Sequence, residues 1–137
     1  MTPRRAAREQ ALKVLYSVVV GDCEPAAALR DVVGENADGG QRAFVEELAL
    51  GTLEYAPKAD RIVSPLLEGW AIERLPTIDR LLLEMATYEL RCRPETPTAV
   101  AINEAVALAK RFSTEDSGRF VNGVLSAVAN ATDAKEA

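Results

Sequence analysis

At 137 residues with 48% hydrophobic side chains, the chain suits one domain, or two small halves sharing a core, and is too apolar for overall disorder. Only 5% of residues are aromatic, alanine and leucine dominate, and no alternating β-branched run reaches strand length, so an all-α fold is expected. The sequence has no histidine, and Cys23 and Cys92 stand far apart, which excludes the usual zinc sites and imidazole-assisted nucleophiles; no metal, cofactor or catalytic residue is expected.

The net charge of −5 is unevenly placed. Residues 1–13 hold Arg4, Arg5, Arg8 and Lys13 against Glu9 alone, a local +3 that leaves −8 for the remainder. Such a chain can offer one patch to phosphate and another to a basic protein. The arginine-bearing start has no apolar core of signal-peptide length, and no segment approaches the roughly 18 apolar residues of a membrane span, so a cytoplasmic protein with no membrane partner is expected.

In chain order, Pro3 stands where a first turn tolerates proline, and Ala7, Ala11, Val14, Leu15, Val18 and Val19 mark a helix over residues 4–20. Its polar stripe is Arg5, Glu9, Lys13 and Ser17, with Glu9 and Lys13 in the favourable order for an ion pair. Pro25 opens a short helix carrying Ala28, Leu29, Val32 and Val33, and residues 36–40 read as a loop. A third helix is expected from about residue 41, with Phe44, Val45, Leu48 and Leu53 inward, and Pro57 kinks or ends it. Over residues 58–68, Ile62, Val63, Leu66 and Leu67 suit either a continuation or a separate helix. Gly69-Trp70 and Leu75-Pro76 frame a connection. Ile78, Leu81, Leu82, Met85, Ala86 and Leu90 then describe a strongly apolar helix expected at the centre of the core.

The densest signal lies in residues 97–125. Ala101, Ile102, Ala105, Val106, Leu108, Ala109 and Phe112 recur at helical spacing, and Ser113, Thr114, Asp116 and Ser117 offer oxygens to cap a new helix from about residue 115. Val121, Val124, Leu125 and Val128 form its apolar face, and Gly123 in mid-helix suggests a close helix approach. Asn103 and Asn122 read as buried amides bonded to helix ends.

Two features point to function. Arg4, Arg5 and Arg8 crowd the positive end of a helix dipole in an acidic protein, against the dipole's preference, so phosphate contact competes with a merely solvated role. Phe120 reads either as core or as an exposed ring beside Arg119, Lys110 and Arg111; the continuous apolar face already formed by its neighbours favours the exposed reading.

Three segments carry a resemblance: RRAAREQALKVLYS at residues 4–17, IDRLLLEMATYEL at 78–90 and VAINEAVALAKRFSTEDSGRFVNGVL at 100–125. Along nearly its whole length the chain resembles the NusB family of bacterial transcription antitermination factors. The resemblance implies an all-α fold of about seven helices in two three-helix-bundle-like halves sharing a core, divided near residue 56. It implies a partner, the ribosomal protein NusE, and a ligand, the single-stranded boxA-type RNA of ribosomal-RNA leaders, held so that the RNA polymerase antitermination complex resists termination. Carried over by position, it places Arg4, Arg5, Arg8, Asp116, Arg119 and Phe120 at RNA, and Tyr16 and Asp79 at the protein partner. Glu84 stands where relatives usually have arginine, Gly118 and Ser113 replace a bulkier residue and a glycine, and Lys13 replaces a common glutamine. The same fold begins a family of ribosomal-RNA cytosine methyltransferases, so an RNA-positioning adaptor is an alternative, as is a pure protein–protein adaptor. Some relatives form a homodimer when free, and that stays open here.

Overall fold

The computed structural model describes residues 3–34 and 38–131, and the regular elements among them are all helical. Helix α1, Pro3–Val19, buries Ala7, Ala11, Val14 and Leu15 as their spacing dictates, joined by Leu12. Val19 departs from the expected apolar face and is exposed, as is Val20 beyond the helix. The Glu9–Lys13 ion pair forms at 3.3 Å. Helix α2, Pro25–Val33, is capped by Glu24, whose Oε1 accepts from the Ala27 amide at 3.1 Å.

Helix α3, Gly39–Val63, begins inside the segment read as a loop. Residues 36 and 37 of that loop lie outside the described residues, but Gly39 and Gly40 are already helical, because Asp38 Oδ2 accepts from the Gln41 amide at 3.2 Å and supplies the cap. The helix runs through Pro57, giving up one backbone hydrogen bond there, and so decides the ambiguity over residues 58–68. Its axis ends at Val63 and a 3-10 turn, Ser64–Leu66, follows. No separate helix forms in that stretch, and the described residues make six α-helices with two 3-10 turns in place of the expected seven or so helices. The second 3-10 turn, Ile72–Arg74, buries Ile72.

Helices α4, Thr77–Cys92, α5, Thr98–Phe112, and α6, Glu115–Ala131, complete the chain. The chain resolves into two compact units, Met1–Glu54 and Tyr55–Ala137. In the first, α1 packs on α2, and the Gln41 side-chain amide donates to Gln10 Oε1 at 2.7 Å. In the second, α4 packs on α5 and α6, which also pack on each other. Every residue of α4 from Leu81 to Thr87 is buried, so it is the element around which this unit's core condenses. Fully burying each leucine there contributes about 1.5–3 kcal/mol.

Two expectations about polar and small residues are corrected. Asn103 and Asn122 are exposed, on the outer faces of α5 and α6, and are not buried amides. Gly123 faces open space; the close approach lies at Gly118, where an added Cβ would come within 2.7 Å of Lys110 Cγ. No helix among the described residues is long and apolar enough to cross a membrane.

Candidate functional site

The residues singled out from the sequence fall in both units. In the first, Arg4 is exposed, with its guanidinium carbon 3.9 Å from the centroid of the Phe44 ring on α3, a cation–π contact that orients the charge at the helix start. Arg4 also borders a groove of about 270 Å³ with Ala7, Asp38, Gly40 and Gln41. Arg5 is half-buried.

Arg8 corrects the expected three-arginine surface patch. It is only 4% exposed, and its guanidinium lies 5.3 Å from the same Phe44 ring. The signal was present in the spacing: Arg8 stands four residues before Leu12 and seven before Leu15, on the stripe that α1 buries. Tyr16 is 44% exposed and, with exposed Val19 three residues on, leaves an apolar face at the end of α1.

The second cluster is built on the start of α6. Thr114 caps the helix, its Oγ1 accepting from the Ser117 amide at 2.9 Å, and the Ser113 and Ser117 hydroxyls are 2.9 Å apart. Asp116, in the first turn as the dipole favours, pairs with Arg119, and both side chains project into solvent. Ser117 turns inward and donates from Oγ to Asp79 Oδ2 on α4 at 2.9 Å.

That bond overturns the picture of Asp79 as an open acidic surface residue. Asp79 is 4% exposed, because the first turn of α4 sits against the first turn of α6, and it offers no surface charge. It lines a groove of about 200 Å³ together with Trp70, Leu75, Pro76, Asp116, Ser117 and Phe120. Phe120 is half-buried, between its two sequence readings. Of the three cations expected beside it, Arg119 shares an adjoining groove of about 420 Å³ that Trp70 and Phe120 also line. Lys110 passes over Gly118 instead, and Arg111 lies 5.2 Å from the Phe112 ring centroid.

Trp70 is the residue that sequence reasoning missed. The chain's single tryptophan is 59% exposed. It follows Glu68 and Gly69, with φ of 39° and 94°, a left-handed turn after the first 3-10 segment. Its position in a loop, off every apolar stripe, was the available clue.

A further charged cluster lies behind α4. Arg80 Nη2 donates to Asp60 Oδ2 at 2.9 Å and Nε to Glu84 Oε2 at 3.2 Å. Burial, reinforced by neighbouring Asp60 and opposed by Arg80, pushes the Glu84 carboxyl up to about 8.

The comparisons with known proteins agree with this architecture. A model of the NusB family matches residues 5–130. The chain is 42% identical over 125 residues to the transcription antitermination protein NusB of Geobacillus kaustophilus, covering 91% of this chain and 94% of the relative. It is 39% identical to that of Desulfitobacterium hafniense, covering 97% and 92%. Among solved structures it superposes on T. maritima NusB with a TM-score of 0.87 at 35% identity, covering 95% of this chain and 92% of the other. It also superposes on a chain from a crystal structure of the antitermination factors NusB and NusE in complex with dsRNA, with a TM-score of 0.85 at 27% identity, covering 96% and 98%.

Proposed function

Because the chain belongs to the NusB family, we propose that it is an RNA-binding transcription antitermination factor and not an enzyme. With the ribosomal protein NusE it binds boxA of ribosomal-RNA leader transcripts and helps RNA polymerase resist termination, acting in the cytoplasm. The observation that carries this reading is the match across nearly the full length of relatives so named, together with the likeness to a chain from a NusB–NusE–RNA complex.

The site residues support it in different degrees. Arg4 and Arg5 contact phosphate, since Arg4 is exposed and held at the helix start by Phe44. Asp116, Arg119 and Phe120 meet RNA from the opening turns of α6, the two charges from solvent and the ring from a groove wall. Tyr16, with Val19, gives the protein partner an apolar foothold on α1.

A mobility-shift titration of boxA-like RNA, with and without the NusE-type protein, tests this function. A shift that tightens when the partner is added is expected. No shift in the presence of a bound partner would leave a protein–protein adaptor and overturn the RNA reading.

A further inference from the structure

Asp79 stands at the third position of α4, where a carboxylate ordinarily reaches back to the N–H of its own capping residue. That residue is Pro76, which has no N–H, and no side chain caps the helix. The carboxylate turns across to α6 instead. Its Oδ2 accepts the Ser117 hydroxyl at 2.9 Å, the only hydrogen bond it makes among the described residues, since Oδ1 has no partner. Ser117 holds the same third position in its own helix, behind the Thr114 cap. Two helix N-termini thus meet with their positive dipole ends together, and the buried Asp79 carboxylate joins them.

The Ser117 hydroxyl is the node of a directed chain. Thr114 Oγ1 donates to Ser117 Oγ at 3.2 Å, the Ser113 hydroxyl lies 2.9 Å away, and Ser117 gives its single donor proton to Asp79. The turn held in this way is weak by itself: its first amides have no partners within the helix, and Gly118, the poorest helix former after proline, follows Ser117 directly. The same turn carries Asp116 and Arg119, paired with each other in solvent, and Phe120 comes three residues after Ser117.

We propose that Asp79 is a positioning residue of the RNA site: without touching RNA or the protein partner, it fixes the opening turn of α6 in the direction that presents Asp116, Arg119 and Phe120. Resting on the RNA-binding reading above and deepening it, this role moves Asp79 from the partner surface to the frame behind the RNA face. At 4% and 7% exposure, neither Asp79 nor Ser117 offers surface to a protein or a nucleic acid. The pin acts on affinity because a turn free to reorient must be ordered by each RNA that binds, at a cost to binding.

Ser117→Ala, Asp79→Ala, the double variant and Asp79→Asn are compared with the wild type in titrations of boxA-like RNA with the NusE-type partner present, at a temperature where melting curves show each fully folded. Ser117→Ala strands a buried carboxylate and should lower the melting temperature most, whereas the double variant removes that charge and should regain much of the loss. RNA affinity is expected not to follow. Both single alanine variants and the double variant should bind RNA about tenfold more weakly than wild type, the scale of one hydrogen bond to a charged group. Asp79→Asn keeps an oxygen for the Ser117 hydroxyl and should restore affinity to within about threefold of wild type. Partner binding measured without RNA should be the same throughout. Should Ser117→Ala fail to fold, the double variant and Asp79→Asn carry the comparison. RNA affinity that recovers with the melting temperature in the double variant would make the pair a stability contact and overturn the positioning role, as would wild-type affinity in Ser117→Ala. Loss of partner binding in Asp79→Ala that Ser117→Ala does not share would return Asp79 to the partner surface and overturn it too. If the wild-type protein itself shows no RNA shift with the partner bound, the RNA reading falls and the positioning role with it.

Discussion

Arg8 and Arg4 are one turn apart on α1 and share the Phe44 ring, yet one is buried and the other exposed. The difference assigns them different work. Replacing Arg4 and Arg5 together by alanine is expected to make the slope of log affinity against log salt shallower by about 1.4, at roughly 0.7 per phosphate contact on a single strand, with the melting temperature nearly unchanged. Arg8→Ala should do the reverse, lowering stability by about 1–3 kcal/mol through lost packing on Phe44 and leaving the salt slope alone. Salt titrations of RNA binding, paired with thermal melts, check both; a flattened slope with an unaltered melt for Arg8→Ala would return that residue to the RNA contact. Charge type was legible in the sequence for all three arginines. Which of them reaches solvent follows from the 3.6-residue period and the ring at Phe44, and the ring's position comes from another helix.

At the scale of the element, the helices whose signals are local were the ones read correctly. The start of α6 at Glu115 follows from a cap and two acids within a few residues, and Val121, Val124, Leu125 and Val128 are buried as their spacing requires. The glycines on the same helix were not legible, because a missing side chain carries no periodicity and its meaning depends on what lies opposite. Gly118 sits under the Lys110 side chain, whereas a Cβ at Gly123 would meet nothing. Gly123→Ala should therefore stabilise the protein by about 0.5–1 kcal/mol, the helix-propensity difference alone, seen as a raised urea midpoint with an unchanged slope. A lowered midpoint would show that the Gly123 face is occupied in the folded protein. Pro57 makes the complementary point: a local breaker signal was outweighed, since helix continues on both sides of it.

For the whole molecule, the placement of charge controls stability as well as partners. Asp60 and Glu84 share the Arg80 guanidinium in a largely buried site, so Glu84 keeps its proton to about 8 against an ordinary 4.5, chiefly through burial and then through Asp60. The folded state thus holds a proton that the unfolded chain releases. This contribution to stability is complete below about 4.5, declines as pH rises and is lost once pH passes about 8, with a slope of up to about 1.4 kcal/mol per pH unit. Glu84→Gln keeps the shape without the titration. Its urea stability should change less between pH 5 and pH 8 than that of the wild type, and it should be the more stable protein at the alkaline end. Parallel declines in the two proteins would place the titrating group elsewhere. The sequence marked Glu84 as a departure from the arginine usual in relatives, but its companion Asp60 lies 24 positions earlier and is brought to it by folding.

What the sequence determined by itself is what depends on neighbours within a turn or two: the helical class, most helix boundaries, the cap of α6, most of the buried stripes, and through three long segments the family. Tertiary structure decided which polar groups are taken out of water and what they meet there. Asp79 looked like a surface acid because a carboxylate at a helix start is satisfied by the dipole in either setting. Only the packing of α6 on α4 brings Ser117 to it and closes it off from solvent. The burial of Asp79 is set by a residue 38 positions away in the chain, and for that reason no local pattern could reveal it.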